Sequence, residues 1–329
     1  MKVKHISKAD CPFKIKFDNK KKSRQQWRAD RAQYIGASDV CAVLGVSKYR
    51  GPYEVAAVKL GQIEEFNGNA TTRLGTLMER PILEYWLKEN ASHAENPVDV
   101  VSVFTCPFVL EHKDHAVLSC NLDAFGVDSQ GEQFVIEIKH AGGYARPYLK
   151  DWQAGEQPRG IALEYFTQVQ AQIAVTGCSR GVLVAMCDKD LFVIDVKADA
   201  ESVALIVSEI PAFWDRYIAT GELPPPSHAD GPAIAAMYPP KDPDAEQKTA
   251  HRPDMRDAVT SAREQVDRLN AEIGERKRKI EQIKNTIKAE MGSAETMLLG
   301  PAHEVRPVKW RTVNPKGNTG RQPYRRFAL

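Results

Sequence analysis

The stretch Phe134-Val135-Ile136-Glu137-Ile138-Lys139 constrains the fold more than any other in this chain of 329 residues. Its apolar, β-branched character spells a strand. Strand side chains alternate faces, so Glu137 and Lys139 share one side while Ile136 and Ile138 share the other. A carboxylate and an ammonium inside a core-like run are costly to bury unless they are paired or hold a metal. Upstream, Asn121-Leu122-Asp123-Ala124-Phe125-Gly126 sets a second carboxylate in an apolar run. The interval Val127-Asp128-Ser129-Gln130-Gly131-Glu132 reads as a hairpin connection that folds Asp123 back beside Glu137.

Bulk properties exclude several classes. The six cysteines are scattered with no Cys-x-x-Cys pair, which argues against structural zinc and a disulfide framework. No apolar stretch reaches membrane-spanning length and no signal-type segment opens the chain, so the expected setting is a reducing cytoplasm without a membrane partner. Net charge is only +2, so the balance of the whole chain says nothing about a polyanion. Placement says more. Lys14, Lys16, Lys20, Lys21, Lys22, Arg24, Arg28 and Arg31 crowd one end, and Arg321, Arg325 and Arg326 the other. Such runs are solvated faces or phosphate-contacting surfaces.

Read in order, residues 1–24 form a basic arm, and a helix starts near Gln25 or Trp27. Ser38 or Ala37 stands where a helix cap belongs, with Gly45 as the stop. Ser38 is either that cap or a hydroxyl that helps the helix start hold a phosphate. Helices are expected over 52–61 and about 72–89, the latter with Leu74, Leu77, Met78, Ile82, Leu83 and Trp86 as an apolar face and Glu79 at its border. Strands follow over 98–108 and 116–120. A helix over 161–176 ends at Gly177, and a strand hairpin over 181–196 leads into a helix over 199–220 that Pro211 should kink. Residues 221–253, rich in proline, read as a linker. Val259, Ala262, Val266, Leu269, Ile273, Ile280, Ile283 and Ile287 make a heptad seam interrupted by Arg276, so 254–291 reads as a long helix or coiled coil. Residues 292–329 read as a small β element, from Glu304 to Val313, and a basic tail.

Asp123 with Glu137-x-Lys139 suits a hard divalent cation. Carboxylates repel unless a cation bridges them, and Mg²⁺ is bound through one or two carboxylates plus substrate phosphate oxygens. The Ile138 carbonyl can add an oxygen ligand, and the lysine can hydrogen-bond a metal-bound water. A glycosidase pair fits less well, because the lysine disfavours a protonated general acid.

The order helix–strand–Asp–hairpin–Glu-x-Lys–helix is that of the restriction-endonuclease-like, PD-(D/E)XK nuclease core: an α/β (α+β) fold with a central mixed sheet flanked by helices, here over residues 25–220. Five motifs resemble those of the YqaJ-like viral recombinase and lambda-exonuclease family. They are Trp27…Arg31 with Ile35-Gly36-Ala37-Ser38-Asp39, Leu74-Gly75-Thr76-Leu77-Met78-Glu79, Asn121-Leu122-Asp123-Ala124, Glu137-Ile138-Lys139, and Tyr165-Phe166-Thr167-Gln168-Val169-Gln170. Asn121-Leu122 stands where many relatives place a proline before the aspartate.

The resemblance implies a role at each matching position. Asp123, Glu137 and the Ile138 carbonyl would ligate two Mg²⁺ ions, with Mn²⁺ as substitute, and Glu79 would add a carboxylate. Lys139 would position or activate water, Gln168 would orient the network, Tyr165 would support it, and Trp27 would pack the first helix. Arg31 and Ser38 would hold the 5′ phosphate of the degraded strand. It also implies a phage- or prophage-encoded bacterial enzyme that digests one strand of duplex DNA 5′ to 3′ from an end. Its expected partners are DNA ends, a single-strand annealing protein and further copies of itself, in a ring trimer or another homo-oligomer. Rival readings are an internally cutting endonuclease on the same core, and a non-catalytic DNA-binding assembly protein.

Overall fold

The computed structural model describes residues 2–19, 23–92, 97–239, 253–294, 296–297, 308–313 and 324–328. Lys20, Lys21, Lys22, Arg321, residues 240–252 of the expected linker and residues 304–307 of the expected β element lie outside them. The chain divides into two compact units, Met1–Pro243 and Asp244–Leu329.

In the first unit, β1 (Lys4–His5) and β2 (Ile15–Asp18) precede α1 (Arg24–Arg31), β3 (Ile35–Gly36), α2 (Ala37–Val43), α3 (Pro52–Lys59) and α4 (Ala70–Ser92). Then come β4 (Ser102–Thr105), β5 (Phe108–Glu111), β6 (Leu118–Asn121), β7 (Ala124–Val127) and β8 (Gln133–Ala141). The unit continues through α5 (Arg146–Gln153), α6 (Ile161–Thr176), β9 (Arg180–Cys187), β10 (Asp190–Lys197), α7 (Ala200–Phe213) and α8 (Gly231–Met237). The main sheet runs β1-β4-β7-β8-β9-β10, and a second sheet runs β2-β5-β6-β3. β7 meets β8 antiparallel and β8 meets β9 parallel, so the main sheet is mixed.

Alternation along β8 separates two cores. Phe134, Ile136 and Ile138 pack with Val182 and Val184 under Ile82, Leu83, Trp86 and Leu87 of α4. Val135, with Leu183 and Ala185, packs on the opposite face with Val169 and Ile173 of α6. The sheet is thus flanked by helices on both faces, as the sequence pattern requires. The β7–β8 turn is fixed locally: the Asp128 carboxylate accepts from the Gln130 and Glu132 amides at 3.0 and 2.9 Å. α6 ends on Gly177 at φ 73°, a left-handed C′ residue.

Four expectations are corrected. Within the expected arm, residues 2–19 are not free: β1 pairs with β4 and β2 with β5, and Lys14 and Lys16 are tied to Glu111 at 3.0 and 3.2 Å. Neither Ser38 nor Ala37 caps α2. The cap is Gly36, because the parallel pairing of Ile35–Gly36 with Leu118–Ser119 carries the chain into the helix two residues earlier. Leu74 and Leu77 are 47% and 73% exposed, since the packed part of α4 begins at Met78. Residues 221–239 are not linker, because they are pinned to the start of α3. Asp230, fully buried, accepts from the Glu54 amide at 2.9 Å and from the Ser227 amide and hydroxyl, both at 2.7 Å. A side chain at Gly51 would collide with that carboxylate, so glycine permits the approach.

The second unit holds α9 (Pro253–Met291) and an antiparallel sheet of β11 (Thr296–Met297), β12 (Val308–Val313) and β13 (Tyr324–Ala328). Val259, Val266, Leu269, Ile273, Ile280 and Ile283 on α9 are each about half exposed.

Asp230 caps α3 from a distant point in the chain, so Asp230→Ala leaves three partly buried donors without their acceptor. It should cost ~2 kcal/mol or more in urea unfolding, and a midpoint shift under a few tenths of a kcal/mol would refute the pin.

Candidate active site

β8 is central, and its Glu137 side chain is 2% exposed beneath α6. Glu137 Oε1 accepts from Gln168 Nε2 at 2.6 Å and pairs with Lys139 Nζ at 2.5 Å. Its Oε2 accepts from Gln172 Nε2 at 2.5 Å. Lys139 Nζ also donates to Gln168 Oε1 at 2.9 Å and lies 5.4 Å from the centre of the Tyr165 ring. Burial opposes charge on this lysine, but Glu137 and Asp123 outweigh it and hold its pKa above the ordinary range.

Asp123 occupies the step between β6 and β7. The register Ala124↔Ile136 sets it opposite Glu137, and its Oδ2 accepts the Ile138 amide at 2.8 Å. In a strand, the N–H and C=O of one residue point to the same edge. The Ile138 carbonyl therefore faces the edge where Asp123 stands, just past the end of β7. Burial first, then the charge of Glu137, pushes the Asp123 carboxyl well above its usual value. Glu79, half-buried on α4, is raised by burial and by Glu137 as well.

Among the described residues, no three His, Cys, Asp or Glu side chains stand close enough together to hold an ion. What converges is two carboxylates and one main-chain carbonyl, all oxygen donors, with Glu79 approaching from the opposite layer. That donor set fits Mg²⁺, which keeps several waters and takes few protein ligands.

Arg31 and Ser38 belong to a second cluster, around Asp39. Asp39 is 1% exposed. It meets Arg31 Nη2 at 3.1 Å, Arg50 Nη1 at 3.0 Å and Lys59 Nζ at 3.3 Å. Arg31 Nε lies 2.8 Å from Glu65, and Arg50 Nε 2.7 Å from Glu54. Trp27 stacks on the Arg31 guanidinium at 5.1 Å. Burial would raise the Asp39 pKa, yet Lys59, Arg31 and Arg50 together hold it far below the carboxylate range. Ser38 is exposed on the first turn of α2 beside this network.

The structure thus brings Asp123, Glu137, Lys139 and Gln168 into one hydrogen-bonded group with the Ile138 amide, places Glu79 at its border, and sets Arg31 and Ser38 in the separate Asp39 cluster. Sequence reasoning missed Gln172, Asp39, Arg50 and Lys59. Gln172 was findable, since four residues after Gln168 is the same helix face. Arg50 and Lys59 carry no local signal, because their shared partner Asp39 lies 11 and 20 positions away.

Asp39→Asn should cost ~3 kcal/mol near neutral pH, by leaving buried cations uncompensated. A depressed carboxylate stabilises the fold above its unfolded pKa and loses that effect as pH falls through its folded value. The gap in urea stability between wild type and Asp39→Asn should therefore shrink below about pH 4, the unfolded aspartate value. A gap that does not narrow would refute the network.

Residues 26–179 match the family model described as the YqaJ-like viral recombinase domain. A relative from Bacillus subtilis (strain 168), described as uncharacterized protein YqaJ, is 25% identical over 287 residues, covering 86% of this chain and 82% of its own. Among solved structures, the alkaline exonuclease LHK-Exo from Laribacter hongkongensis is 21% identical with a TM-score of 0.45, covering 60% of this chain and 93% of its own. A phage-related exonuclease from Haemophilus somnus 129PT is 12% identical with a TM-score of 0.39, covering 57% of this chain and 96% of its own. Residues 26–179 are thus similar to the YqaJ-like viral recombinase domain, the family its five motifs resemble.

Proposed function

We propose that the protein is a Mg²⁺-dependent exodeoxyribonuclease that digests one strand of duplex DNA 5′ to 3′ from an end and leaves a 3′ single strand for recombination. The observation that carries this reading is the Glu137 carboxylate, buried under two glutamines and paired with Lys139, beside an Asp123 locked to the Ile138 amide. The similarity of residues 26–179 to the recombinase domain supports the recombination setting.

Asp123, Glu137 and the Ile138 carbonyl would hold the cation. When bound, it supplies charge stabilisation at the scissile phosphate and lowers the pKa of water. Lys139, with its raised pKa, stays protonated at neutral pH. It therefore acts as a donor that orients water and neutralises phosphate charge, not as a base. Gln168 fixes Lys139 and Glu137 to each other. Glu79, half-buried at the border of the site, would add a further carboxylate to it. Attack by water forms a new P–O bond and breaks the bond to the 3′ oxygen; the attacking water gives up its proton to solvent and the departing 3′ oxygen takes one from solvent. Each cut leaves the next nucleotide with a 5′ phosphate, which the Arg31 and Ser38 side chains would receive.

The exposed α9 seam supports self-association, and a single-strand annealing protein is the proposed partner in recombination. Ile273→Asp should lower the sedimenting mass of the full chain, and an unchanged mass would remove the seam from assembly.

End-labelled linear duplex should be degraded from its 5′ ends with Mg²⁺ and spared in chelator, while closed circular DNA survives. Lys139→Ala should slow digestion ~100-fold or more; near-wild-type rates would sink the mechanism. Arg31→Ala should impair 5′-phosphorylated ends more than 5′-hydroxyl ends.

A further inference from the structure

Two tyrosines near the site are half exposed. Tyr49, in the loop between α2 and α3, is 52% exposed, and Tyr144, just past β8, is 56% exposed. Both are held in place. The Tyr49 amide donates to Ser47 Oγ at 3.2 Å, and Ser47 Oγ donates to Glu164 on α6 at 3.3 Å. Gly142 leaves room for the Tyr144 ring, since a Cβ there would stand 3.1 Å from it. The Lys48 ammonium lies 4.9 Å from the centre of the Tyr49 ring and 5.8 Å from that of Tyr144. Burial and then the neighbouring Tyr49 hydroxyl push the Tyr144 phenol up, so the two side chains adjoin.

Their position links the two clusters. Tyr49 adjoins Arg50, whose guanidinium holds Asp39. Tyr144 follows Lys139 by a few residues, and Glu164 adjoins Tyr165, whose ring lies against Lys139. A strand with its 5′ phosphate at Arg31 and its next phosphate at Asp123 and Glu137 has one nucleoside between those points. An aromatic face with an adjacent cation suits a nucleobase and its backbone. Stacking is also sequence-tolerant, as an enzyme that degrades any strand requires.

We propose that Tyr49 and Tyr144 form a stacking platform for the base of the 5′-terminal nucleotide, with Lys48 as the cation beside its backbone. This rests on the exonuclease reading. Base–aromatic stacking of ~1–2.8 kcal/mol, within the usual range, corresponds to about 5- to 100-fold.

The test compares linear duplexes whose 5′-terminal nucleotide is normal, abasic or 2-aminopurine. Wild type should digest the normal end about 5- to 100-fold more efficiently than the abasic end, and should quench terminal 2-aminopurine fluorescence in chelator. Tyr49→Ala with Tyr144→Ala should abolish both effects while Tyr49→Phe with Tyr144→Phe keeps them, all with unchanged melting temperatures. An alanine pair that retains the preference and the quenching would overturn the platform, as would a phenylalanine pair that loses both. Absence of cleavage by wild type would overturn the exonuclease reading alone, because quenching in chelator still decides the platform.

Discussion

The burial of Glu137 is the constraint on which the first unit depends. A carboxylate at the centre of a six-stranded sheet is tolerable only if every lone pair has a partner and its charge has a counter-ion. Lys139, Gln168 and Gln172 provide those partners. Because two of them come from α6, that helix cannot slide along the sheet without exposing a buried charge. Asp123 fixes the other side by reaching past the end of β7 to the Ile138 amide, which locks the β7–β8 register.

The same logic governs the Asp39 cluster, with charge rather than amides supplying most of the partners. There one buried carboxylate organises three cations drawn from α1, α3 and the loop between α2 and α3. Val55 and Ala56 of α3 also join the apolar core, so on that helix ion pairing and packing act together.

What the sequence made legible follows from the range of the forces involved. The Glu137–Lys139 face, the hairpin bringing Asp123 back, and α6 with its Gly177 stop all depend on alternation, turn chemistry and helical spacing, which act over a few residues. The cap at Gly36 was misread because a strand pairing with residues 118–119 decided where α2 begins. The proline-rich stretch after 220 looks like linker because its anchor, Asp230, reaches the Glu54 amide of α3, 176 positions away. Leu74 and Leu77 continue the apolar pattern of α4, yet they lie outside its packed part, which begins at Met78. Composition cannot reveal where a neighbour stops.

The two amides on α6 carry a consequence of their own. Glutamine does not titrate, so Gln168 and Gln172 meet Glu137 with donors that carry no proton change of their own. Lys139 keeps its proton well into alkaline solution. The groups that change state lie on the acid side, where Asp123 and Glu79 take up protons earlier than ordinary carboxylates. The site is therefore built with one vulnerable flank: it tolerates alkali and disassembles electrostatically in acid.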